Sequence, residues 1–399
     1  MKLLIVSLSY PPLNNPQSIR WKNLSELLAK QGINLDIISL KLPFTNTKVK
    51  ENKISIRRLY SPITSFLLKN FLLSGDKVKK SHLKKWLLRF YEFFSLGDAY
   101  IDWGIRVSYE LKRLSHYYDR IILSCEPHVA TFLPVFFIDS DKIILDLADP
   151  PISNYFLNIS FFPFKQLHEA IFRLALRKAN KVVFTGYGVK EFYEKKFPFL
   201  KGKSFVVTQG FPKDFYNYSL SISNFNSPPV FSFVGNFIKN IREPITLVKV
   251  LSKFNVKFAY VGKEDAWSDY CRKILKSKFI FLGRMPHEKA LKAQLKSDVL
   301  VYLGNKVPYQ QSGKIYEYIG SNKPILAIVQ NETDDAIKLI EQIKCGLVCR
   351  NNETEIFMSI KKILLKLREK KDIIRKHNRL KLNYCWDALA EKYKSIIEE

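Results

Sequence analysis

The stretch Gln310–Ile328, QQSGKIYEYIGSNKPILAI, reads as a loop, a helix and a buried strand in succession. Gln310–Gly313 carries loop residues. Lys314–Gly320 has apolar residues at helical spacing. Pro324–Ile328 is an apolar run without alternation, led by a proline that cannot continue a helix. Such a run fits a strand covered on both faces, and strands of that kind build parallel sheets. The stretch holds one acid, Glu317, one turn into the helix and beside Gly313 and Lys314.

The same logic extends along the chain. In the first half, apolar strands are expected at Leu3–Ser7, Leu35–Leu40, Arg120–Ser124, Lys142–Leu147, Lys181–Thr185 and Ser204–Thr208, with a helix at Ser18–Lys30 that ends at Gly32. The polar, Ser/Asn-rich segment Tyr216–Pro229 interrupts this pattern and is the expected linker. Strands then resume at Val230–Val234, Lys257–Val261, Phe279–Leu282, Val299–Leu303 and Pro324–Val329. Helices are expected at Glu243–Phe254, Pro286–Lys296 and Lys314–Gly320. Asn383–Glu399 forms a terminal helix through Trp386, Leu389, Tyr393 and Ile396. The expected fold class is α/β, with two doubly wound Rossmann-like domains, 1–215 and 230–380, and residues 383–399 packing back toward the first. Ligands of such sheets sit beyond the carboxyl ends of the strands, and a cleft between the domains is the default site.

The chain has 399 residues and a net charge of +28. That excess points to nucleic acid, phospholipid or a phosphorylated small molecule, or else to plain solvated surface. Nucleic acid is disfavoured, since no recognised binding motif is present. The five scattered cysteines lack zinc spacing and read as reduced. The N-terminal apolar run is too short for a signal peptide, and no run reaches transmembrane length. A cytoplasmic protein, peripheral on the inner face of the membrane, is the expectation.

Three strand-to-helix loops are ready for an anion. In VGNFIKNIREPITL (Val234–Leu247) a strand ends at Gly235, and Asn236, Lys239 and Arg242 follow before Glu243 and Pro244 open a helix. FLGRMP (Phe281–Pro286) repeats the pattern with Gly283 and Arg284. The third loop is Ser312, Gly313 and Lys314 with Glu317. Each alone also reads as a tight turn with solvated cations, since one glycine is a weak signal. Glu317 lies too far from Ser312 for a capping box, and a ribose diol is a partner that a carboxylate grips well. No GxxxxGK[ST] or GxGxxG motif is present.

At these residues the chain resembles a family. YPP with Ser18-Ile19-Arg20-Trp21, the segment Tyr100–Trp103, Asp146–Pro150, VVTQGF (Val206–Phe211), FVGNF (Phe233–Phe237), FLGR (Phe281–Arg284) and GKIYEYIGSNKPIL (Gly313–Leu326) look like the GT-B glycosyltransferases, close to retaining family 4. The resemblance implies two domains facing a central cleft and a nucleotide-diphosphate-sugar donor held by the second. Glu317 would bind the donor ribose. Lys239 or Arg242 would take the catalytic cation role against the diphosphate, Arg284 would lie near the base, and the Ser312–Lys314 amides would face the phosphates. Gly235, Asn236 and Gly283 complete the donor set. Tyr309 stands where the family has the first glutamate of its Glu-x7-Glu signature.

The first half is then expected to hold a saccharide or lipid-linked acceptor. Arg20 is either an acceptor or phosphate contact or a helix-surface arginine, and Asp149 is a base candidate, an acceptor contact or a turn residue. Lys77–Phe94, KVKKSHLKKWLLRFYEFF, reads as a cationic amphipathic helix for an anionic membrane, or as a core helix with a basic outer side. No cofactor and no metal are expected, because lysine or arginine can offset diphosphate charge. The expected activity is hexosyl transfer in cell-surface polysaccharide biosynthesis. A non-catalytic sugar-nucleotide or membrane-binding module and a sugar-nucleotide epimerase or hydrolase are the alternatives.

Overall fold

A computed structural model of the chain describes residues 1–43, 45–51, 53–65, 98, 100–126, 128–148, 162–220, 227–309, 312–369 and 378–399. Lys77–Phe94, Asp149, Gln310 and Gln311 lie outside the described residues. Two compact units are present. The first comprises Met1–Val207 with Ala390–Glu399, the second Thr208–Leu389.

The first unit is built on an eight-stranded sheet. Its strands are β1 (Lys2–Ser7), β2 (Asn34–Leu40), β3 (Lys48–Glu51), β4 (Ile54–Leu59), β5 (Arg120–Cys125), β6 (Ile143–Leu147), β7 (Lys181–Phe184) and β8 (Ser204–Val206). The order is β3-β4-β2-β1-β5-β6-β7-β8, and only β3 runs antiparallel to its neighbour. The four-residue edge strand KVKE was not expected, because it buries no side chain and so carries no apolar signal. Helix α1 (Pro16–Lys30) starts two residues before the expected Ser18. Asn15 caps it by accepting from the Ser18 amide at 2.8 Å, and Pro16 fits its first turn. Helices α2 (Ile101–Leu114), α3 (Phe162–Lys178) and α4 (Tyr187–Lys196) follow.

The second unit opens with α5 (Lys213–Leu220), so the expected linker Tyr216–Pro229 begins inside a helix. Tyr216 turns inward onto Phe211, which overrides the polar composition of the segment. Strands β9 (Val230–Val234), β10 (Lys257–Val261), β11 (Phe279–Phe281), β12 (Val299–Leu303), β13 (Ile325–Val329) and β14 (Gly346–Arg350) form an all-parallel sheet, ordered β11-β10-β9-β12-β13-β14. The order reverses between β9 and β12, which is the switch point where doubly wound sheets hold ligands. Helices α6 (Ile245–Ser252), α7 (Ala266–Leu275), α8 (His287–Leu295), α9 (Lys314–Gly320), α10 (Ala336–Ile343) and α11 (Glu353–Arg368) connect the strands. Strand α/β alternation beyond Pro324 thus continues through β14 and α11. The terminal helix α12 (Trp386–Glu398) starts after a 3-10 stretch at Arg379–Tyr384.

Two apolar clusters sandwich the second sheet. One gathers Phe211, Leu300, Tyr302, Ile315 and Ile319, the other Phe231, Val248, Phe258, Val301 and Ile360. Strands β12 and β13 are buried at every position, as continuous apolar runs require. Among the described residues no helix is long and apolar enough to cross a membrane.

Candidate functional site

The carboxyl edge of the second sheet gathers the three loops singled out above. After β9, Gly235 adopts φ +148° and donates its amide to Val261 at 2.9 Å. A side chain is strained at that angle. Residues Ile238–Arg242 close a tight hairpin, with reciprocal backbone bonds of 2.9 and 2.8 Å between its ends. Asn240 sits at its tip with φ +63° and donates its amide to Glu243 Oε1 at 2.9 Å. Glu243 therefore serves the hairpin rather than the helix, and α6 begins only at Ile245, with Pro244 as its cap. Asn236 is exposed and accepts from the Lys263 amide at 3.2 Å, and Lys239 is exposed on the hairpin.

Arg242 turns the other way. Its guanidinium lies 5.8 Å from the centre of the Phe233 ring, near the hydroxyls of Tyr302, Tyr318 and Tyr260. Burial lowers its pKa, yet an arginine stays charged. Its Nε is buried without a hydrogen-bond partner, and among the described residues no carboxylate pairs with it. Arg242 as a whole is half-buried, and a guanidinium partly withdrawn from water is better held with an anion beside it.

Glu317, on α9, is buried and held by three side chains. His287 Nε2 lies 3.0 Å from Oε1, Gln294 Nε2 donates to Oε2 at 2.8 Å, and Lys314 Nζ donates to both oxygens at 2.9 and 2.8 Å. Burial alone would raise its pKa, but the charge of Lys314 and the His287 bond outweigh that and hold it at about 2. Lys314 is the most exposed of the three partners, at 29 % of its side chain. The sequence reading left Glu317 without a protein partner. His287 and Gln294 were missed, although the His directly after Met285-Pro286 opens a helix beside this loop.

The loop after β12 is tied to both neighbours. Lys306 N–H donates to the Ile241 carbonyl at 3.0 Å, and Gln330 Nε2 donates to the Ile241 and Gly304 carbonyls at 3.0 and 2.5 Å. Val234 N–H donates to the Tyr318 hydroxyl at 2.9 Å, which fixes α9 against the end of β9. Tyr302 hydroxyl bonds Asp334 at 3.0 and 3.1 Å and has a backbone hydrogen bond with Ser312. Tyr309 stands in this loop at φ +61° and donates its amide to Thr333 Oγ1 at 3.4 Å. Gly313 packs on Gln209, where an added Cβ would come within 2.7 Å. Gly283 has φ +70° and Arg284 is exposed. The structure thus places Gly235, Asn236, Lys239, Arg242, Gly283, Arg284, Ser312, Gly313, Lys314 and Glu317 on loops or helix starts along one sheet edge.

Asp334 was not foreseen. Burial raises its pKa to about 6, against the bonds from Ala336 N–H and Tyr302. A carboxyl raised this way costs stability once ionised, so the cost grows as pH climbs from 3.8 and is complete above about 6. Asp334→Asn should therefore raise the thermal midpoint at pH 8 and leave it unchanged at pH 4. An equal shift at both values would assign the effect to packing instead.

The first unit places its sequence-derived residues differently. Arg20 is fully buried and donates from Nη2 to Asp146 Oδ2 at 2.8 Å. It is neither a helix-surface arginine nor exposed to an acceptor. Tyr393 hydroxyl donates to the same oxygen at 3.1 Å. Asp149 falls outside the described residues. The carboxyl edge instead presents Glu126, which accepts from Ser9 Oγ at 2.7 Å, with Asn15 Nδ2 donating to Ser9 at 3.0 Å. His128 stacks edge-on against Tyr100 at 4.3 Å, with Asp98 3.8 Å away. Burial lowers the His128 pKa, against the pull of Asp98. Its signal in sequence was the polar SCEPH turn directly after an apolar strand.

No family model matches the chain, and no curated protein matches it in sequence. Solved structures do match in shape. Sucrose-phosphate synthase from Thermosynechococcus elongatus aligns at 14 % identity over 100 % of this chain and 98 % of its own, with a TM-score of 0.66. A glycosyltransferase from Rickettsia africae aligns at 14 % identity over 100 % and 97 %, with a TM-score of 0.66. Anabaena Alr3699/HepE in complex with UDP aligns at 12 % identity over 100 % of both chains, with a TM-score of 0.64. The chain has the fold of these proteins, the GT-B fold of two doubly wound parallel-sheet units, as its sequence led us to expect.

Proposed function

We propose that the chain is a glycosyltransferase that takes its sugar from a nucleotide-diphosphate donor held at the carboxyl edge of the second unit. The observation that carries this reading is Arg242, a half-buried cation whose Nε is shut off from water and which pairs with no carboxylate among the described residues, on the same sheet edge as the ionised Glu317. A diphosphate supplies the missing anion, and stabilising its growing charge is the main catalytic task when it departs. Lys239, on the same hairpin, adds a second cation. That Alr3699/HepE is seen with UDP, and with UDP and glucose, supports the donor class.

Glu317 has little spare accepting capacity, since four hydrogen bonds already reach its two oxygens. A ribose diol displaces Lys314, the exposed partner, whose ammonium then turns to the phosphates. His287 and Gln294 keep the carboxylate aimed. On this reading transfer is of a hexosyl group with retention, as in family 4. The acceptor is a saccharide, lipid-linked, in cell-surface polysaccharide biosynthesis, bound by the first unit. Glu126 and His128 stand at that unit's strand ends, and Asp149 is kept as a base candidate. The protein works in the cytoplasm at the membrane face, with Lys77–Phe94 as one contact, and needs no metal.

Tyr309 favours a second reading, a binding module without turnover, because a carboxylate near the transferred sugar is replaced. Purified protein offered a panel of nucleotide sugars and acceptors separates the two. Release of nucleoside diphosphate in step with glycosylated acceptor is expected. Binding without release from any donor leaves only the module.

A further inference from the structure

We propose that the second unit carries a phospholipid site on the face of its sheet, which reaches the Phe281–Pro286 loop of the donor edge at Leu282 and Met285. A groove of about 470 Å³ lies between α8 and strands β9, β10 and β11. That volume suits a small ligand or one lipid chain. Val230, Ala259, Ile280 and Leu282 line the sheet side, and Ala293 faces them from α8. Strand β11 is the sheet edge, half-exposed at all three positions, and Leu282 beyond it is 44 % exposed. The groove's two hydroxyls, Ser232 and Ser297, are hydrogen-bonded to each other at 2.6 Å. A peptide laid here would bury backbone groups against an apolar floor, whereas a hydrocarbon chain needs no polar partner.

The rim supplies the complementary charge. Lys289, Lys292 and Lys296 line the groove from successive turns of α8 and its cap, and all three are exposed. Among the described residues neither Lys289 nor Lys292 has a carboxylate in ion-pair range. Apolar floor and cationic rim together match one molecule, an anionic phospholipid, with an acyl chain along the sheet and its phosphate on the lysines. The groove shares no residue with the donor set or with Lys77–Phe94.

The test uses the full chain and vesicles of phosphatidylcholine with or without phosphatidylglycerol. K289Q/K292Q/K296Q should weaken binding to the anionic vesicles about 100-fold, roughly fivefold per lysine. K361Q/K362Q/K366Q on α11 removes the same charge and should weaken it far less. Equal losses in the two triples would show a diffuse attraction and overturn the site. The five native cysteines are all buried, so a dye on Leu282→Cys labels the groove alone. Its emission should shift to the blue with phosphatidylglycerol vesicles and stay put with inorganic phosphate. A dye unmoved by vesicles, or moved by an acidic amphipathic peptide and not by vesicles, would overturn the lipid assignment.

Discussion

Arg20→Ala should destabilise the first unit by about 3–5 kcal/mol, because it leaves Asp146 charged and buried without its cation. Both side chains are fully excluded from water, so solvent screens nothing. The remaining bond to Asp146 Oδ2 comes from Tyr393, a neutral donor that cannot replace a charge. The whole-site replacement should behave otherwise. Arg20→Met with Asp146→Leu removes both charges and should recover most of the loss, since paired apolar substitutes in such sites are often neutral. Urea unfolding of the four proteins in the double-mutant cycle measures this. A single-variant cost below about 1 kcal/mol would mean that water or another group compensates Asp146.

Glu317→Gln should lower stability by about 3 kcal/mol at pH 7 and cut donor affinity by at least about a hundredfold. The stability part follows from a folded-state pKa near 2 against an ordinary 4.5. A depressed carboxyl contributes its full stabilisation above the unfolded value and loses it as pH falls from 4.5 toward 2. The gap between the two proteins should therefore close across that window. The glutamine keeps the shape, but its amide nitrogen cannot accept from Lys314 or a ribose hydroxyl, and the lysine loses its counter-charge. Urea midpoints from pH 7 to pH 3 test the first part, and titration with nucleotide sugars the second. A gap independent of pH would refute the ionised carboxylate. Unchanged affinity would remove Glu317 from the donor site while leaving its structural role.

What was legible in the chain follows from range. Strands β9, β10 and β12 coincide with their apolar runs, since a strand covered on both faces announces itself locally. The position of Glu317 on a short helix after a loop was equally local. Its partners were not: His287 and Gln294 lie 30 and 23 residues upstream on another helix. Arg20 misled for the same reason. Its sequence neighbours say nothing of Asp146, 126 residues away, whose strand delivers the charge that buries it. The edge strand β3 was invisible because an exposed KVKE has nothing to hide.

The first unit is discontinuous, with residues 390–399 returning to complete it. Tyr393 reaches Asp146, and the Ile396 carbonyl accepts from Lys181 at 2.6 Å. During synthesis these ten residues leave the ribosome only after the entire second unit. At ordinary elongation rates the Arg20–Asp146 pair waits roughly twelve to fifty seconds for its third partner. The unit made first is thus finished last. A released chain ending at Leu389 should expose this unit to protease while the second is already compact.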